Sequence, residues 1–303
     1  MTFDKRKVVY QIYPKSYKDT TGNGIGDLQG IIEKIPYLAK LGVDMVWLNP
    51  FYPSPQHDNG YDISDYTAVN PLFGSMDDFE EMIQVGKEYG IEFMLDMVLN
   101  HCSTEHEWFQ KALAGDNYYQ DFFFLRDEPT DWLSKIGGSA WAPFGDTGKY
   151  YLHLYDVTQA DLNWHNPHVR EELFKVVHFW LDKGVKGFRF DVINVIGKDE
   201  ILENCPENDG KPAYTDRPIV HEYLHMLNEE TFVTDEAIMT VGEMSATNIE
   251  NCILYTAPER HELSMAFNFH HLKVDYENGQ KWTLKNFDFE ELKRLLHTWG
   301  KEM

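Results

Sequence analysis

Two charged residues interrupt an apolar run near the middle of the chain. The run reads KGFRFDVIN, in which Arg189 and Asp191 alternate with Phe188, Phe190 and Val192. Residues two apart on a β-strand point to the same face, so we expect the charged pair on one face and the three apolar residues on the other. A structural ion pair is the alternative. However, buried ions are costly to desolvate, and Asp191 stands at the carboxyl end of its strand, where active sites of parallel barrels gather.

The next predicted strand ends in a second carboxylate. In AIMTVGE, Met239, Val241 and Glu243 share one face, and Glu243 comes last. If the two strands are neighbours, they lie about 4.8 Å apart. The two carboxyl groups would then be about 5 Å apart, the separation at which a retaining glycosidase uses one carboxylate as nucleophile and one carboxylic acid as proton donor. Like charges this close raise one pKa, and we expect Arg189 to hold Asp191 ionised.

The elements that must position these residues alternate between short apolar strands and amphipathic helices. We predict strands over residues 8–13, 44–48, 91–99, 187–192, 237–241 and 263–269. We predict helices over residues 28–40, 75–89, 166–184, 214–228 and 287–299. This alternation is typical of an α/β fold with a parallel sheet and right-handed crossovers. A (β/α)₈ TIM barrel fits best, truncated here after about six strands.

The alternation of strands and helices stops after the third strand. Residues 101–165 are rich in Trp, Tyr, Phe, Asp and Gly and contain no long periodic segment. We interpret them as an inserted subdomain. Residues 1–100 would then form the first part of the barrel and residues 166–303 its continuation.

Composition narrows the class of protein. The net charge of −23 argues against nucleic acid as a partner and against an anionic membrane surface, because both need a basic face. No run of about 18 apolar residues could span a membrane, and the N-terminus has no secretory signal. The cysteines Cys102, Cys205 and Cys252 are too few and too scattered for a disulfide framework. We therefore expect a cytoplasmic protein.

Several motifs together indicate a family. GFRFDV, VGEM, DMVLNH and GYDISDY resemble those of the α-amylase superfamily of retaining glycoside hydrolases, and TQADLNW resembles the QPDLN motif of its oligo-1,6-glucosidase branch, with Ala160 in place of proline. Two longer stretches, GKPAYTDRPIVHEYLHMLNE and ELSMAFNFHHLKVDYENGQKWTL, are similar to segments of bacterial trehalose-6-phosphate hydrolases (α,α-phosphotrehalases). Oligo-1,6-glucosidase or α-glucosidase activity is the alternative.

The resemblance implies a role for each matching residue. Asp191 matches the nucleophile, Glu243 the general acid/base and Arg189 the arginine beside the nucleophile. His101 and Asp62 match the residues that bind the glucosyl unit, although a backbone-capping histidine and an Asx-turn aspartate are the structural alternatives. The implied reaction is a double displacement that cleaves trehalose 6-phosphate into glucose and glucose 6-phosphate.

A sugar phosphate carries about two negative charges, so the resemblance also implies a basic group outside the cleavage position. We choose Lys281 as the best candidate, with Lys273 and Arg217 in the same similar segments. Each could instead be a solvated surface charge.

The resemblance also implies parts that this chain lacks. The family has a third catalytic aspartate, which follows a histidine after the seventh strand, and this chain has no such pair. It ends at HTWGKEM, before strands seven and eight and a C-terminal β-domain. We therefore expect the 303-residue chain alone to be inactive or nearly so.

A glycine-rich loop near the N-terminus spaces oxygen atoms like a calcium site. DTTGNGIGD offers Asp19, Thr21, Asn23, the Ile25 carbonyl and Asp27 at alternate positions, as in the first nine residues of an EF-hand loop. The bidentate glutamate of position twelve is replaced by glycine. We expect a structural Ca²⁺ ion of modest affinity, with a turn that holds no ion as the alternative.

Overall fold

The computed structural model describes residues 6–235, 237–278, 282–283 and 285–303. Its main sheet contains six strands in the spatial order β1-β2-β3-β9-β10-β11, and every neighbouring pair is parallel. These strands are β1 (Val9–Ile12), β2 (Met45–Leu48), β3 (Glu92–Met97), β9 (Gly187–Phe190), β10 (Met239–Glu243) and β11 (Met265–Phe267). All six predicted strands are therefore present, and they correspond to six of the eight strands of a TIM barrel.

The described residues also form α-helices between and after these strands. They are α1 (Pro14–Tyr17), α2 (Leu28–Leu41), α3 (Met76–Glu88), α4 (Glu107–Leu113), α5 (Asn117–Gln120), α6 (Pro167–Asp182), α7 (Pro218–Thr231), α8 (Ile249–Thr256) and α9 (Phe289–Glu302). Short 3₁₀ turns occur at Ile193–Val195, Glu207–Ala213, Pro258–Arg260 and His270–Leu272. No helix in the described ranges is long and apolar enough to cross a membrane.

Side-chain caps set where the predicted helices begin. Asp27 accepts a hydrogen bond from the Gly30 amide at the start of α2. Ser75 and Asp78 form a reciprocal capping box at the start of α3. Asn166 caps α6, and a proline follows it at the first helical position. These caps satisfy amides that the first helical turn leaves without partners.

The sheet separates two apolar regions. Its outer face carries Phe188 and Phe190, which belong to a large core shared with α2, α3 and α6. Its inner face carries a small cluster of Met45, Met94, Met239 and Val241. The inner face is therefore apolar at the level of these residues, and Asp96, Arg189 and Glu243 lie nearer the carboxyl ends of the strands.

Residues 101–161 form two small antiparallel sheets beside the main one. Strand β4 (His101–Ser103) pairs with β8 (Gln159–Asp161), and β7 (Tyr150–Leu152) pairs with both β5 (Leu125–Arg126) and β6 (Trp141–Pro143). The β4–β8 pairing brings the two ends of this segment together. The domain boundaries at residues 100 and 165 remain predictions from the sequence.

The sequence misplaced several boundaries. The strand expected over 187–192 ends at Phe190, because Val192 takes a left-handed backbone with φ of 40°. Val192 therefore leaves the face of Phe190 and packs in a separate cluster with Trp132 and Val195. The helix expected over 214–228 begins later, because Arg217 is extended and a 3₁₀ turn precedes it. Helices α4 and α8 were not predicted.

Candidate active site

The charged residues meet at the carboxyl ends of three adjacent strands. The register places Asp96 of β3 and Val241 of β10 on either side of Arg189 of β9. Asp191 follows β9 directly and stands beside Glu243, the last residue of β10. The two strands that carry the expected carboxylates are therefore neighbours, as the 5 Å estimate required.

One guanidinium holds all three carboxylates. Nη1 of Arg189 donates to Oδ1 of Asp96 at 2.6 Å and to Oδ1 of Asp191 at 2.7 Å. Nη2 of the same arginine donates to Oε2 of Glu243. We call these four residues the Arg189 cluster. Its arginine and aspartates are buried and Glu243 is partly buried, so the cluster places three acids against one base in a region of low dielectric.

The carboxyl groups of Asp191 and Glu243 also interact with each other. A hydrogen bond between them is one cause of the raised pKa of Asp191. Inverting glycosidases hold their carboxyl groups about 6.5–9.5 Å apart to admit a water molecule, whereas retaining enzymes hold them at about 5 Å. The closeness of Asp191 and Glu243 is nearer to the separation of the retaining class than to that of the inverting class.

Burial raises the pKa of two acids in the cluster. It is the largest cause for Asp191, whose pKa lies well above its usual range, with the charge of Glu243 second and Arg189 acting in the opposite direction. Burial also raises the pKa of Asp96 to about 6 against the lowering effect of Arg189. The expectation that Arg189 keeps Asp191 ionised is therefore wrong for this unliganded site, because one guanidinium cannot offset burial and the neighbouring acid.

Asp96 was missed by the sequence reasoning, although it lies in the quoted motif DMVLNH. Its Oδ2 accepts hydrogen bonds from Nε1 of Trp47 at 3.1 Å and from the hydroxyl of Tyr61 at 3.0 Å. The guanidinium of Arg189 lies over both rings, at 5.2 Å from Trp47 and 5.9 Å from Tyr61. A lone acid in an apolar strand was the available signal, the same one that identified Asp191.

The two predicted sugar-binding residues lie near each other and near the cluster. His101 is buried, and its ring is 5.5 Å from that of Tyr155, whose pKa is in turn raised in part by the charges of Asp191 and Glu243. The charge of Asp62 also acts on the pKa of His101. The fold therefore gathers the four expected residues at one end of the sheet.

Asp62 also organises the loop before it. Its carboxylate accepts hydrogen bonds from Oγ of Ser54 at 2.8 Å and from the amides of His57 at 2.9 Å and Asp58 at 3.1 Å. Asp62 therefore partly has the structural role, that of an Asx-turn aspartate, which was the alternative to sugar binding. Each carboxylate oxygen can accept two bonds, so Asp62 retains some capacity for a ligand.

A family comparison decides the class of this domain. The model described as alpha amylase, catalytic domain, matches residues 11–303. The chain belongs to the α-amylase catalytic-domain family.

Individual relatives of this α-amylase domain share about half of its residues. The trehalose-6-phosphate hydrolase of Bacillus subtilis (strain 168) is 54% identical over 99% of the chain and 54% of its own length. The oligo-1,6-glucosidase of Parageobacillus thermoglucosidasius is 46% identical over 99% of the chain and 55% of its own length. The crystal structure of Bacillus licheniformis trehalose-6-phosphate hydrolase has a TM-score of 0.95 and 55% identity, covering 99% of this chain and 55% of that one. The chain thus spans about half the length of the curated relatives it matches.

The three basic residues expected near the substrate differ in their surroundings in this α-amylase domain. Lys281 lies outside the described residues. Arg217 is engaged, since it pairs with Asp199 at 2.8 Å and donates to a backbone carbonyl. Lys273 is exposed.

A half-buried lysine that the sequence did not single out lies beside the cluster. Nζ of Lys135 donates to Oγ of Ser245 at 2.8 Å, two residues after Glu243. Burial, followed by the positive charge of Lys211, lowers the pKa of Lys135 to about 8. No carboxylate in the described part of the chain forms an ion pair with this ammonium group. It is therefore a cation without a matching anion at the substrate end of the domain.

The expected calcium loop is only partly suited to a metal. Asp19 is exposed and accepts hydrogen bonds from loop amides, of which the one from Gly24 does most to lower its pKa. Asp27 is turned toward α2, where it bonds to Gly30 and Thr20. No residue with a side chain fits at position 30, because an added Cβ would lie 2.1 Å from the carbonyl oxygen of Lys18. The glutamate of an EF-hand loop therefore has no room at this position.

This loop therefore provides one exposed, ionised carboxylate and several neutral oxygens. Among the described residues, no group of three or more His, Cys, Asp or Glu side chains is placed to hold a metal ion. The donor set fits a weakly bound hard cation better than a tight site.

Proposed function

We propose that this chain carries the nucleophile and the proton donor of a retaining glycoside hydrolase that cleaves trehalose 6-phosphate into glucose and glucose 6-phosphate. The observation that carries the proposal is the contact of Asp191 with Glu243, on neighbouring strand ends and around one arginine. The similarity to trehalose-6-phosphate hydrolases supports the choice of substrate over the more distant oligo-1,6-glucosidases.

The reaction follows from two carboxyl groups that face one glycosidic bond. Glu243 gives its proton to the glycosidic oxygen while Asp191 attacks the anomeric carbon, so that the C–O bond breaks and a glycosyl ester forms on Asp191. Glucose 6-phosphate leaves. Glu243 then takes a proton from water, whose oxygen attacks the same carbon and releases glucose with its configuration retained.

The raised pKa of Asp191 has a place in this sequence. The unliganded pair keeps a proton because two buried carboxylates in contact cannot both ionise readily. Attack requires that proton to reside on Glu243, and the hydrogen bond between the two groups gives it a direct path. We propose that the bound sugar completes this transfer, since it separates the two groups and leaves Asp191 with the Arg189 guanidinium.

We propose that His101 and Asp62 bind the hydroxyl groups of the glucosyl unit. Both are buried at the same end of the sheet as the Arg189 cluster. Nε2 of His101 makes no hydrogen bond in the described structure, and Asp62 has acceptor capacity left. Both groups therefore suit a sugar, which presents donors and acceptors together.

We propose that the phosphate group binds near Lys135, with Lys281 as a second cation predicted from the sequence. In a chain of net charge −23, the positive charges of Lys211, Lys198 and Lys273 all act on Lys135. Such a local excess of positive charge is what a dianionic substrate group requires.

A substrate comparison tests the proposed function. A full-length protein that contains this chain should hydrolyse trehalose 6-phosphate with a higher kcat/KM than trehalose or isomaltose. Lys135→Ala and Lys281→Ala should each raise KM for the phosphorylated sugar and spare trehalose, while Lys175→Ala, an exposed lysine paired with Glu172, should change neither. Faster hydrolysis of isomaltose would favour the oligo-1,6-glucosidase class, and no hydrolysis of any α-glucoside would refute the proposal. We expect the 303-residue chain alone to show little or no turnover.

We also propose a weak Ca²⁺ site at Asp19, Thr21, Asn23, the Ile25 carbonyl and Asp27. The exposure and low pKa of Asp19 support it. Calorimetric titration should show heat at millimolar Ca²⁺ that Asp19→Asn removes and Asp116→Asn, in another loop, retains. Absence of heat in the unmodified chain would end this proposal.

We further propose that the protein works in the cytoplasm. The proposed substrate is a phosphorylated sugar, and Cys102 and Cys252 are buried thiols outside any disulfide. Cell fractionation with an antibody against the chain tests the location, and recovery outside the cytoplasmic fraction would contradict it.

A further inference from the structure

A buried hydrogen-bond network lies behind His101. Nζ of Lys198 contacts Oδ2 of Asp161 at 2.7 Å and donates to Oδ1 of Asn100 at 2.8 Å. Nδ2 of Asn100 lies 3.1 Å from Oδ2 of Asp161 and 3.1 Å from Nδ1 of His101. Asp161, Asn100 and Lys198 are at most 1% exposed. We call these three residues together with His101 the Asn100 network.

The chemistry of its members fixes which way the amide of Asn100 points. An ammonium group can only donate and an ionised carboxylate can only accept. The amide oxygen must therefore face Lys198, and the amide nitrogen must face Asp161. Rotating the amide by 180° would set oxygen against carboxylate and NH₂ against ammonium, which loses both bonds and adds two repulsions.

The fixed amide in turn determines the state of the imidazole ring. One amide hydrogen goes to Asp161, and the other points at Nδ1 of His101. Nδ1 must accept this bond, so it carries no hydrogen, and in a neutral ring the hydrogen is then on Nε2. Burial lowers the pKa of His101 to about 4, which keeps the ring neutral in the physiological range.

We propose that Asn100, oriented by Lys198 and Asp161, is a positioning residue that holds His101 in the neutral tautomer with its hydrogen on Nε2. Nε2 is buried and makes no hydrogen bond of ordinary geometry in the described structure, although the backbone carbonyl of Tyr61 lies close enough to the ring to raise its pKa slightly against the effect of burial. A buried donor that lacks a partner lowers the stability of the folded chain. A ligand oxygen that pairs with Nε2 recovers this free energy, whereas a ligand group that can only donate does not.

The tautomer itself does not depend on the proposed hydrolase activity; only its use in binding a sugar hydroxyl rests on that function. Nuclear magnetic resonance of ¹⁵N-histidine-labelled chain measures it without any turnover. The chemical shifts of Nδ1 and Nε2 distinguish a protonated ring nitrogen from an unprotonated one, and His101→Gln assigns the signals.

Two histidines in the same region serve as internal controls. Nδ1 of His153 lies 3.0 Å from the carbonyl oxygen of Tyr155, which only accepts, so this ring should carry its hydrogen on Nδ1. Nε2 of His165 lies 2.9 Å from the carbonyl oxygen of Lys198, so this ring should carry it on Nε2. The experiment must report these opposite tautomers before His101 is interpreted.

The unmodified chain should show His101 with a protonated Nε2 and an unprotonated Nδ1 near neutral pH. In Asn100→Leu, which removes the donor to Nδ1 but keeps a similar volume, the His101 signals should shift toward a mixture of both tautomers. His153 and His165 should not change. Circular dichroism checks that the variant folds.

Two results would overturn the proposal. One is protonated Nδ1, a tautomer mixture or an imidazolium ring for His101 in the unmodified chain, which needs no variant. The other is an unaltered Nε2–H tautomer in folded Asn100→Leu. Loss of hydrolase activity with either spectrum would concern the proposed function and not the tautomer.

Discussion

The Arg189 cluster and the Asn100 network are two largely buried sets of charges near the same end of one sheet. They differ in their ratio of acidic to basic groups. The network pairs one ammonium with one carboxylate, and the amide between them uses its oxygen and both hydrogens. The cluster sets three carboxylates around one guanidinium, and two of them have raised pKa values. Both regions are largely buried, although Glu243 is only partly so, and the clearest difference is the ratio of acids to bases.

This difference indicates what each region is suited to do. Lys198, Asn100 and Asp161 balance one another in charge and in hydrogen bonds, and such a set can hold the ring of His101 in place. An acid-rich cluster raises the pKa of its buried aspartates, so protonated and ionised forms of these groups are closer in free energy than for exposed acids. Raised carboxyl pKa values in a concave, partly water-excluded site are typical of acid–base catalysis.

The largest effect is expected on catalysis. In a full-length protein, Glu243→Gln should lower kcat by about 10³-fold, because an amide cannot donate a proton to the leaving oxygen. Steady-state hydrolysis of trehalose 6-phosphate measures it, and Glu172→Gln, at a half-buried glutamate on α6 away from the Arg189 cluster, is the control. A loss below tenfold would remove Glu243 from the role of acid.

The largest effect on stability is expected in the balanced network. Lys198→Met leaves Asp161 charged and buried without its partner, so the free energy of unfolding should fall by about 3–5 kcal/mol. The exposed pair of Lys175 with Glu172 gives the contrast, because Lys175→Met should cost less than about 1 kcal/mol. Urea denaturation measures the loss of unfolding free energy in both variants. Equal losses would mean that the burial of an ion pair does not determine how much it contributes to stability.

A smaller and pH-dependent effect is expected for Arg189→Gln. Without the guanidinium, the three acids can take up protons instead of remaining charged, which limits the loss to about 2 kcal/mol at pH 5. At pH 8 the loss should be larger, because protons are scarcer and the carboxylates repel each other. Denaturation at both pH values checks this; a loss independent of pH would contradict the acid-rich description.

The smallest effect is a slope of stability with pH. Asp96 has a folded-state pKa of about 6, above its ordinary value of 3.8, so the folded state binds more protons than the unfolded state between these values. Its contribution is therefore fully present below about pH 4 and is lost as the pH rises through 6. Asp96→Asn should remove this decline from the unfolding curve.

Asp19 should change the pH dependence of the free energy of unfolding in the direction opposite to Asp96. Hydrogen bonds from backbone amides lower its pKa in the folded chain. Its contribution is present above the unfolded pKa of about 3.8 and is lost as the pH falls through the lower folded value. Asp19→Asn should therefore remove a rise of stability with pH. If both variants changed the slope in the same direction, the description of one of these two sites would be wrong.

Much of this architecture follows from local patterns in the sequence. Strand period, helix period and capping residues such as Ser75 and Asn166 predicted the six parallel strands and most helices. The strand-end positions of Asp191 and Glu243 predicted that the two residues would be neighbours. These features are local, so a single sequence is enough to reveal them.

The remaining features depend on contacts distant in sequence. The left-handed turn at Val192 and the orientation of Asp62 are set by packing and loop bonds that no periodicity shows. The pKa of Asp191 reverses the expected direction because burial and the charge of Glu243, 52 residues away, outweigh the attraction of Arg189, and Asp96 acts in the same direction as Glu243. That Lys135 forms no ion pair within the described residues could likewise be seen only in three dimensions.

The central claim is that Asp191 and Glu243 form one buried carboxyl pair that keeps a proton. Its most direct test is a pH titration of the ¹³C-labelled carboxyl carbons of the chain, assigned with Asp191→Asn and Glu243→Gln. The pair should titrate in two separated steps, with the carboxyl of Asp191 still protonated well above its usual range. Independent titration of both groups near their ordinary values of about 4 would contradict the claim.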